Sequence, residues 1–176
     1  RSIFNALLAL GLAAALAACS SPAQEETQPT QTRDLPDSSQ TVQAADSGYV
    51  FTAPNGVTVA IDDDMAQVLE ALGEPRSYFE AASCAFEGLD KTYTYSGFTI
   101  ITRPEEADLV TSILLTDDSA ATPEGVYIGS PAEDVAAVYG EPDRRTDTLP
   151  SYTKGGTTLN FILSDGAVLS IEYLQA

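Results

Sequence analysis

Few side chains in this chain of 176 residues could do covalent or metal chemistry: it has two cysteines, 26 acids and no histidine. Cys84 is a candidate nucleophile. A thiol becomes reactive when a histidine or a cationic neighbour lowers its pKa, and no histidine exists to do so. Flanked by Ala82 and Phe86, it reads as a small buried hydrophobe instead. Missing histidine also removes the usual general base and the commonest metal ligand. Asp62-Asp63-Asp64 and Asp117-Asp118 cluster the carboxylates that calcium favours, but neither run has the central glycine or distal glutamate of an EF-hand loop. Helix capping and solvated turns account for both, and neither metal nor cofactor is expected. No Gly-x-Ser-x-Gly, phosphate loop or zinc spacing is present. Carboxylate pairs are so plentiful here that they do not point to glycoside hydrolysis. The chain reads as a non-enzyme.

Tyrosine offers binding rather than catalysis. Tyr93 and Tyr95 lie on one face of a predicted strand, where tyrosine packs well under a helix, and both are expected in the core. Tyr78 and Phe79 fall in a predicted loop. Aromatics there suit either a binding hot spot or packing, and the residues alone leave both open.

Charge narrows the partners. Residues 49–176 hold 21 acids against six bases, a net of −15. Such a field repels phosphate backbones, which argues against nucleic acid. It also opposes docking on anionic lipid heads, and it favours solubility.

The first 48 residues are of a different kind. Residues 3–18 are an apolar run after Arg1, too short for a spanning helix and shaped like the hydrophobic part of an export signal. Leu16-Ala17-Ala18-Cys19 then resembles the lipobox of bacterial lipoproteins. That resemblance implies cleavage before Cys19 and a lipid on its thiol. Several acyl chains, at ~0.8 kcal/mol per buried CH₂, anchor a protein stably where one does not. Residues 20–48 are Ser, Pro, Ala, Gln, Glu, Thr and Asp with almost no large apolar groups, a composition that cannot offset chain entropy. They are expected to form a flexible tether of roughly 30 Å reach. The division is therefore 1–18 signal peptide, 19–48 lipidated tether, 49–118 a first repeat unit and 119–176 a second, with both units in one domain.

The repeat is visible in Val68-Leu69-Glu70-Ala71-Leu72-Gly73-Glu74-Pro75 and Val135-Ala136-Ala137-Val138-Tyr139-Gly140-Glu141-Pro142. Met65, Val68, Leu69 and Leu72 follow helical spacing, as do Ala132, Val135, Ala136 and Tyr139. Asp62-Asp63-Asp64 suits the first helix start, and Ser130-Pro131-Ala132-Glu133 spells a capping box for the second. Gly73 and Gly140 mark the stops. A short strand is expected before each helix, at Val57–Ile61 and Val126–Ile128. Three follow each helix: Lys91–Ser96, Phe98–Arg103 and Leu109–Leu115, then Ser151–Lys154, Thr157–Leu163 and Ala167–Tyr173. An opening hairpin is expected at Tyr49–Thr52 and Pro54-Asn55-Gly56. The expected class is α+β: two tandem β-α-β-β-β units forming one antiparallel sheet, with a helix from each packed on one face. The other face then carries Thr158, Asn160 and Ile162, while Leu169, Ile171 and Tyr173 point to the core.

A short helix ending in Leu-Gly-Glu-Pro or Tyr-Gly-Glu-Pro, followed by three strands, resembles the unit shared by the SmpA/OmlA (BamE) lipoproteins of outer-membrane assembly and the secreted β-lactamase-inhibitor protein. Lipidation is similar to the first family, and tandem duplication to the second. Ser83-Cys84-Ala85-Phe86-Glu87-Gly88 and Thr122–Gly129 are similar to uncharacterised lipoproteins of Firmicutes. The resemblance implies an extracytoplasmic, membrane-anchored module that binds an envelope or secreted protein. Inhibition of a secreted hydrolase and capture of a small ligand or ion are the alternatives. The expected contact surface is the open face of the middle strands: Thr99, Ile101, Arg103, Thr158, Asn160 and Ile162.

Overall fold

The computed structural model describes residues 48–105 and 107–176. Cys19, the signal segment and the tether before residue 48 lie outside the described residues.

A two-stranded hairpin opens the domain: β1 (Phe51–Thr52) pairs with β2 (Thr58–Val59). Helix α1 (Met65–Leu72) follows. Asp64 caps it by accepting the Ala66 N–H at 2.9 Å, and Gly73 closes it with φ +80°. Four strands come next: β3 (Ser77–Ala82), β4 (Leu89–Thr94), β5 (Phe98–Pro104) and β6 (Asp108–Leu115). Helix α2 (Ala132–Tyr139) then leads into β7 (Arg144–Arg145), β8 (Pro150–Lys154), β9 (Thr157–Ser164) and β10 (Ala167–Gln175). All eight later strands make one antiparallel sheet in the order β3-β4-β5-β6-β10-β9-β8-β7. Each half is a meander, and the halves meet through their last strands, β6 and β10.

Strand alternation places the core on one face. Tyr93, Ile100, Ile113, Tyr173, Leu159 and Tyr152 stand opposite one another from β4 to β8, and all are buried. Phe98, Leu115, Ile171 and Phe161 form a second buried row.

The expected α+β class is wrong. The described chain is mostly β, 46% strand against 12% helix. The reason lies in what covers the core face. Each helix has only eight residues, about two turns. Helix α1 buries Met65 and Val68, and α2 buries only Val135. The rest of the cover is irregular or hairpin: Phe51, Ala53 and Val59 from the opening segment, and Ala120 and Val126 from the connection after β6. The Phe51 ring packs at a tilt 4.8 Å from Phe98 and 6.0 Å from Tyr173.

Local expectations also changed. Val126–Ile128 is no strand; a single bridge joins Ala121 to Tyr127. The capping box does not form: α2 starts after Pro131 with no side-chain cap, because Ser130 Oγ turns back to accept the Tyr127 N–H at 3.1 Å. β3 and β7 occupy stretches expected to be loop. Leu169 does not face the core. A bulge between Val168 and Ser170 resets the alternation, so Val168 takes the buried place and Leu169 is 59% exposed. Cys84 is exposed in the β3–β4 connection rather than buried, because that hairpin extends past the covered part of the sheet. Tyr95 lies just beyond β4, half-buried, stacked on Phe98 at 5.0 Å and donating to the Gly73 carbonyl at 3.2 Å.

The β4–β5 turn gives a direct test of backbone demand. Gly97 has φ +85°, and a Cβ there would collide with Ser119 Oγ. Its carbonyl also accepts the Thr116 N–H at 2.9 Å, tying the turn to the chain after β6. Gly97→Ala should therefore destabilise by about 2 kcal/mol or more through strain and displacement of the Asp117–Ser119 turn, read as a lower urea midpoint.

Candidate functional site: the open face of the sheet

The face opposite the core has no described element lying over it as the hairpin and helices lie over the other. Cross-strand register defines its rows, because directly opposed residues share a face. One row runs Ser77, Thr94, Thr99, Leu114, Glu172, Asn160, Ser151, Arg144 from edge to edge. The next runs Phe79, Thr92, Ile101, Ser112, Leu174, Thr158, Thr153. Ile162 stands beside Ser170 beyond the first row.

The chemistry of these rows is unlike the rest of the domain. Of the fifteen positions, one is acidic (Glu172) and one basic (Arg144), in a region with 21 acids. Threonine, serine and asparagine alternate with Ile101, Leu114, Leu174 and Phe79. Threonine and isoleucine are good strand formers. On a solvated face they also present methyl and methylene surface beside hydroxyls and an amide, at little ordering cost because β-branched side chains have few rotamers.

The structure brings together five of the six predicted contact residues. Thr99, Ile101, Thr158, Asn160 and Ile162 are all half-buried on this face. Arg103 is elsewhere in function. It is only 8% exposed, with Nη2 2.7 Å from Asp62, Nε 2.8 Å from Glu105 and Nη1 donating to Gln175 at 3.2 Å. Hydrogen bonds to the two carboxylates hold its guanidinium firmly protonated. A cation so occupied ties the β2–α1 loop to the ends of β5 and β10 and is not free to meet a partner.

The sequence reading did not include Leu114 and Leu174, and it left Phe79 between a binding hot spot and packing. Phe79 is 65% exposed and extends the second row to the sheet's edge. Its neighbour Tyr78 points to the other side, 5.1 Å from Tyr93. The Tyr78 hydroxyl donates to Glu80, which raises its pKa to about 12. Leu114 and Leu174 were legible in the alternation of β6 and β10. That Phe79 stands on a strand was not, because β3 is exposed along its whole length and shows no periodicity.

At the β7 end the face deepens into a crevice of about 520 Å³. Its walls include Arg144, Arg145, Ser151, Thr153, Thr158 and Asn160. Among the described residues no group of three or more Cys, Asp or Glu could hold a metal ion. Nor is any described helix long and apolar enough to cross a membrane. No family model, curated protein or solved structure matches the chain.

Proposed function

We propose that this chain is an extracytoplasmic lipoprotein, anchored to a bacterial membrane by lipid on Cys19, whose folded domain binds an envelope protein without catalysing a reaction. Leu16-Ala17-Ala18-Cys19 after the apolar run carries the anchor. The open face carries the binding. The observation that weighs most is the low acid content of its two central rows, one acid in fifteen positions, in a domain of net −15. Protein interfaces are depleted of charged residues at their cores and enriched in aromatic side chains, and a merely solvated sheet face in so acidic a chain would carry acids like the rest of the surface. Ile101, Leu114, Leu174 and Phe79 supply desolvation energy, and the hydroxyls and Asn160 supply directional bonds.

The test is capture from a cross-linked envelope extract by the full chain in detergent, beside an Ile101→Glu/Ile162→Glu variant. One discrete protein should be retained by the native chain and lost by the variant, whose far-ultraviolet CD should remain native because both side chains are on the open face. Loss of the CD signal in the variant, or retention of the same protein by it, would remove the open face as the contact surface.

A small-ligand receptor is the second reading, favoured by the crevice between β7 and β9. It predicts that an anionic metabolite raises the unfolding temperature, since binding only the native state stabilises it, and that Arg144→Ala removes the rise.

A further inference from the structure

The two edges of the sheet are built differently. β7 has two residues, both arginine, and offers almost nothing to pair with. β3 has six, Ser77–Ala82, every one exposed. It pairs with β4 in regular register without a bulge. It contains no proline and no lysine, and its one charge is Glu80. Long, flat edges lacking these protections are templates for another strand. Phe79 and Tyr78, 65% and 49% exposed, place aromatic surface on both of its faces.

The hydrogen-bonding sense of the strand follows from its end. Ser83 donates to the Gly88 carbonyl at 3.0 Å. In an antiparallel pair such bonded positions recur every second residue, so Ala81, Phe79 and Ser77 turn their N–H and C=O toward β4. Tyr78, Glu80 and Ala82 turn theirs outward, toward no described strand.

We propose that β3 pairs antiparallel with β3 of a second copy about a two-fold axis through Phe79. The outward groups allow only registers that match even-numbered residues to one another. Centring on Phe79 sets Tyr78 opposite Glu80 of the second copy, and Glu80 opposite Tyr78 of the second copy. Each of these pairs exchanges backbone hydrogen bonds, and the Tyr78 hydroxyl, which donates to Glu80 within its own copy, is placed to donate to the facing Glu80 instead. The two Phe79 rings meet on the axis at a non-hydrogen-bonded position, where cross-strand side chains approach most closely. Centring on Glu80 would oppose two carboxylates, which destabilises. The chosen register is isologous, as a closed dimer requires. It also continues the Phe79, Thr92, Ile101 row from one copy into the next. Long-range repulsion between two acidic domains opposes the pairing, and salt screens it with a Debye length of about 8 Å at physiological ionic strength.

Sedimentation equilibrium of the full chain in density-matched detergent tests this, at 0.15 M and 0.5 M NaCl. A reversible monomer–dimer equilibrium is expected, at least several-fold tighter at the higher salt. Phe79→Lys puts two cations on the axis and should weaken it at least 100-fold. Glu80→Pro removes an outward N–H, which a monomeric edge tolerates, and should do the same. Far-ultraviolet CD confirms that each variant is folded. A chain that stays monomeric at all concentrations and both salts would overturn the proposal. So would a dimer that survives in either folded variant, as one made by the detergent-embedded segment or by a different surface would.

Discussion

Phe51→Ala should cost about 3–5 kcal/mol, the range for truncating a buried aromatic, and Val135→Ala about 2 kcal/mol, from ~0.8 kcal/mol per buried methylene-sized group with a cavity added. Phe51 has no exposed surface and lies between Phe98 and Tyr173. Val135 is the only buried residue of α2. The difference measures which element covers the sheet. If the opening hairpin does so, removing its anchor opens the row containing Phe98, Leu115 and Ile171 to water, whereas trimming α2 loosens one short helix. Urea unfolding of both variants reads the result. A Val135→Ala cost equal to or above that of Phe51→Ala would mean that the helix, not the hairpin, is the principal lid.

That distinction was hidden from sequence reasoning for a physical reason. Helix positions were legible because apolar spacing, an Asp cap and a Gly stop are local signals, and both helices stand where Met65–Leu72 and Ala132–Tyr139 placed them. How much of a core a helix covers is not local. It depends on Phe51 and Val59 reaching across from a hairpin, and on Val126 in an irregular loop. Each carries no periodic signature. Six strands were legible from alternation, as in Leu159 and Phe161 against Thr158 and Asn160. β3 was not, because an edge strand exposed on both faces has no reason to alternate. The bulge at Leu169 was equally invisible, since one extra residue leaves the composition of a strand unchanged while inverting its faces.

The candidate site divides along the same line. Thr99, Ile101, Thr158, Asn160 and Ile162 came from strand parity and share one face. Arg103 had the right composition for a contact, yet its partner Asp62 is 41 residues away in sequence, and only folding shows that its charge is already satisfied. Lys91 is similarly committed, to Asp108 at 2.5 Å. With these cations paired inside the domain, the low acid content of the two central rows of the open face stands out further from its acidic surroundings.

Above pH 10 the fold should lose stability steeply, and tyrosine is the cause. Burial raises the pKa of Tyr173 well above the ordinary tyrosine value of 10.0, and burial followed by the bond to Glu124 at 2.5 Å does the same for Tyr139. In the unfolded chain both ionise near 10. The unfolded state therefore releases its protons first as pH rises. The stability these groups contribute is complete below about pH 10 and is lost as pH climbs toward their folded values. A buried tyrosine contributes a slope of about 1.4 kcal/mol per pH unit in that window; Tyr173 approaches that figure, and the partly exposed Tyr139 contributes less because solvent screens it. Urea midpoints between pH 8 and 11.5 should stay level and then fall. Tyr173→Phe isolates one share. Its hydroxyl has no hydrogen-bond partner among the described residues and the residue is only 1% exposed, so removing it should leave neutral-pH stability unchanged or raise it by about 1 kcal/mol, while lowering the alkaline slope by about 1.4 kcal/mol per pH unit. A slope unchanged in Tyr173→Phe would show that this tyrosine ionises in the folded state, which requires water to reach the centre of the row formed by Ile113, Tyr173 and Leu159.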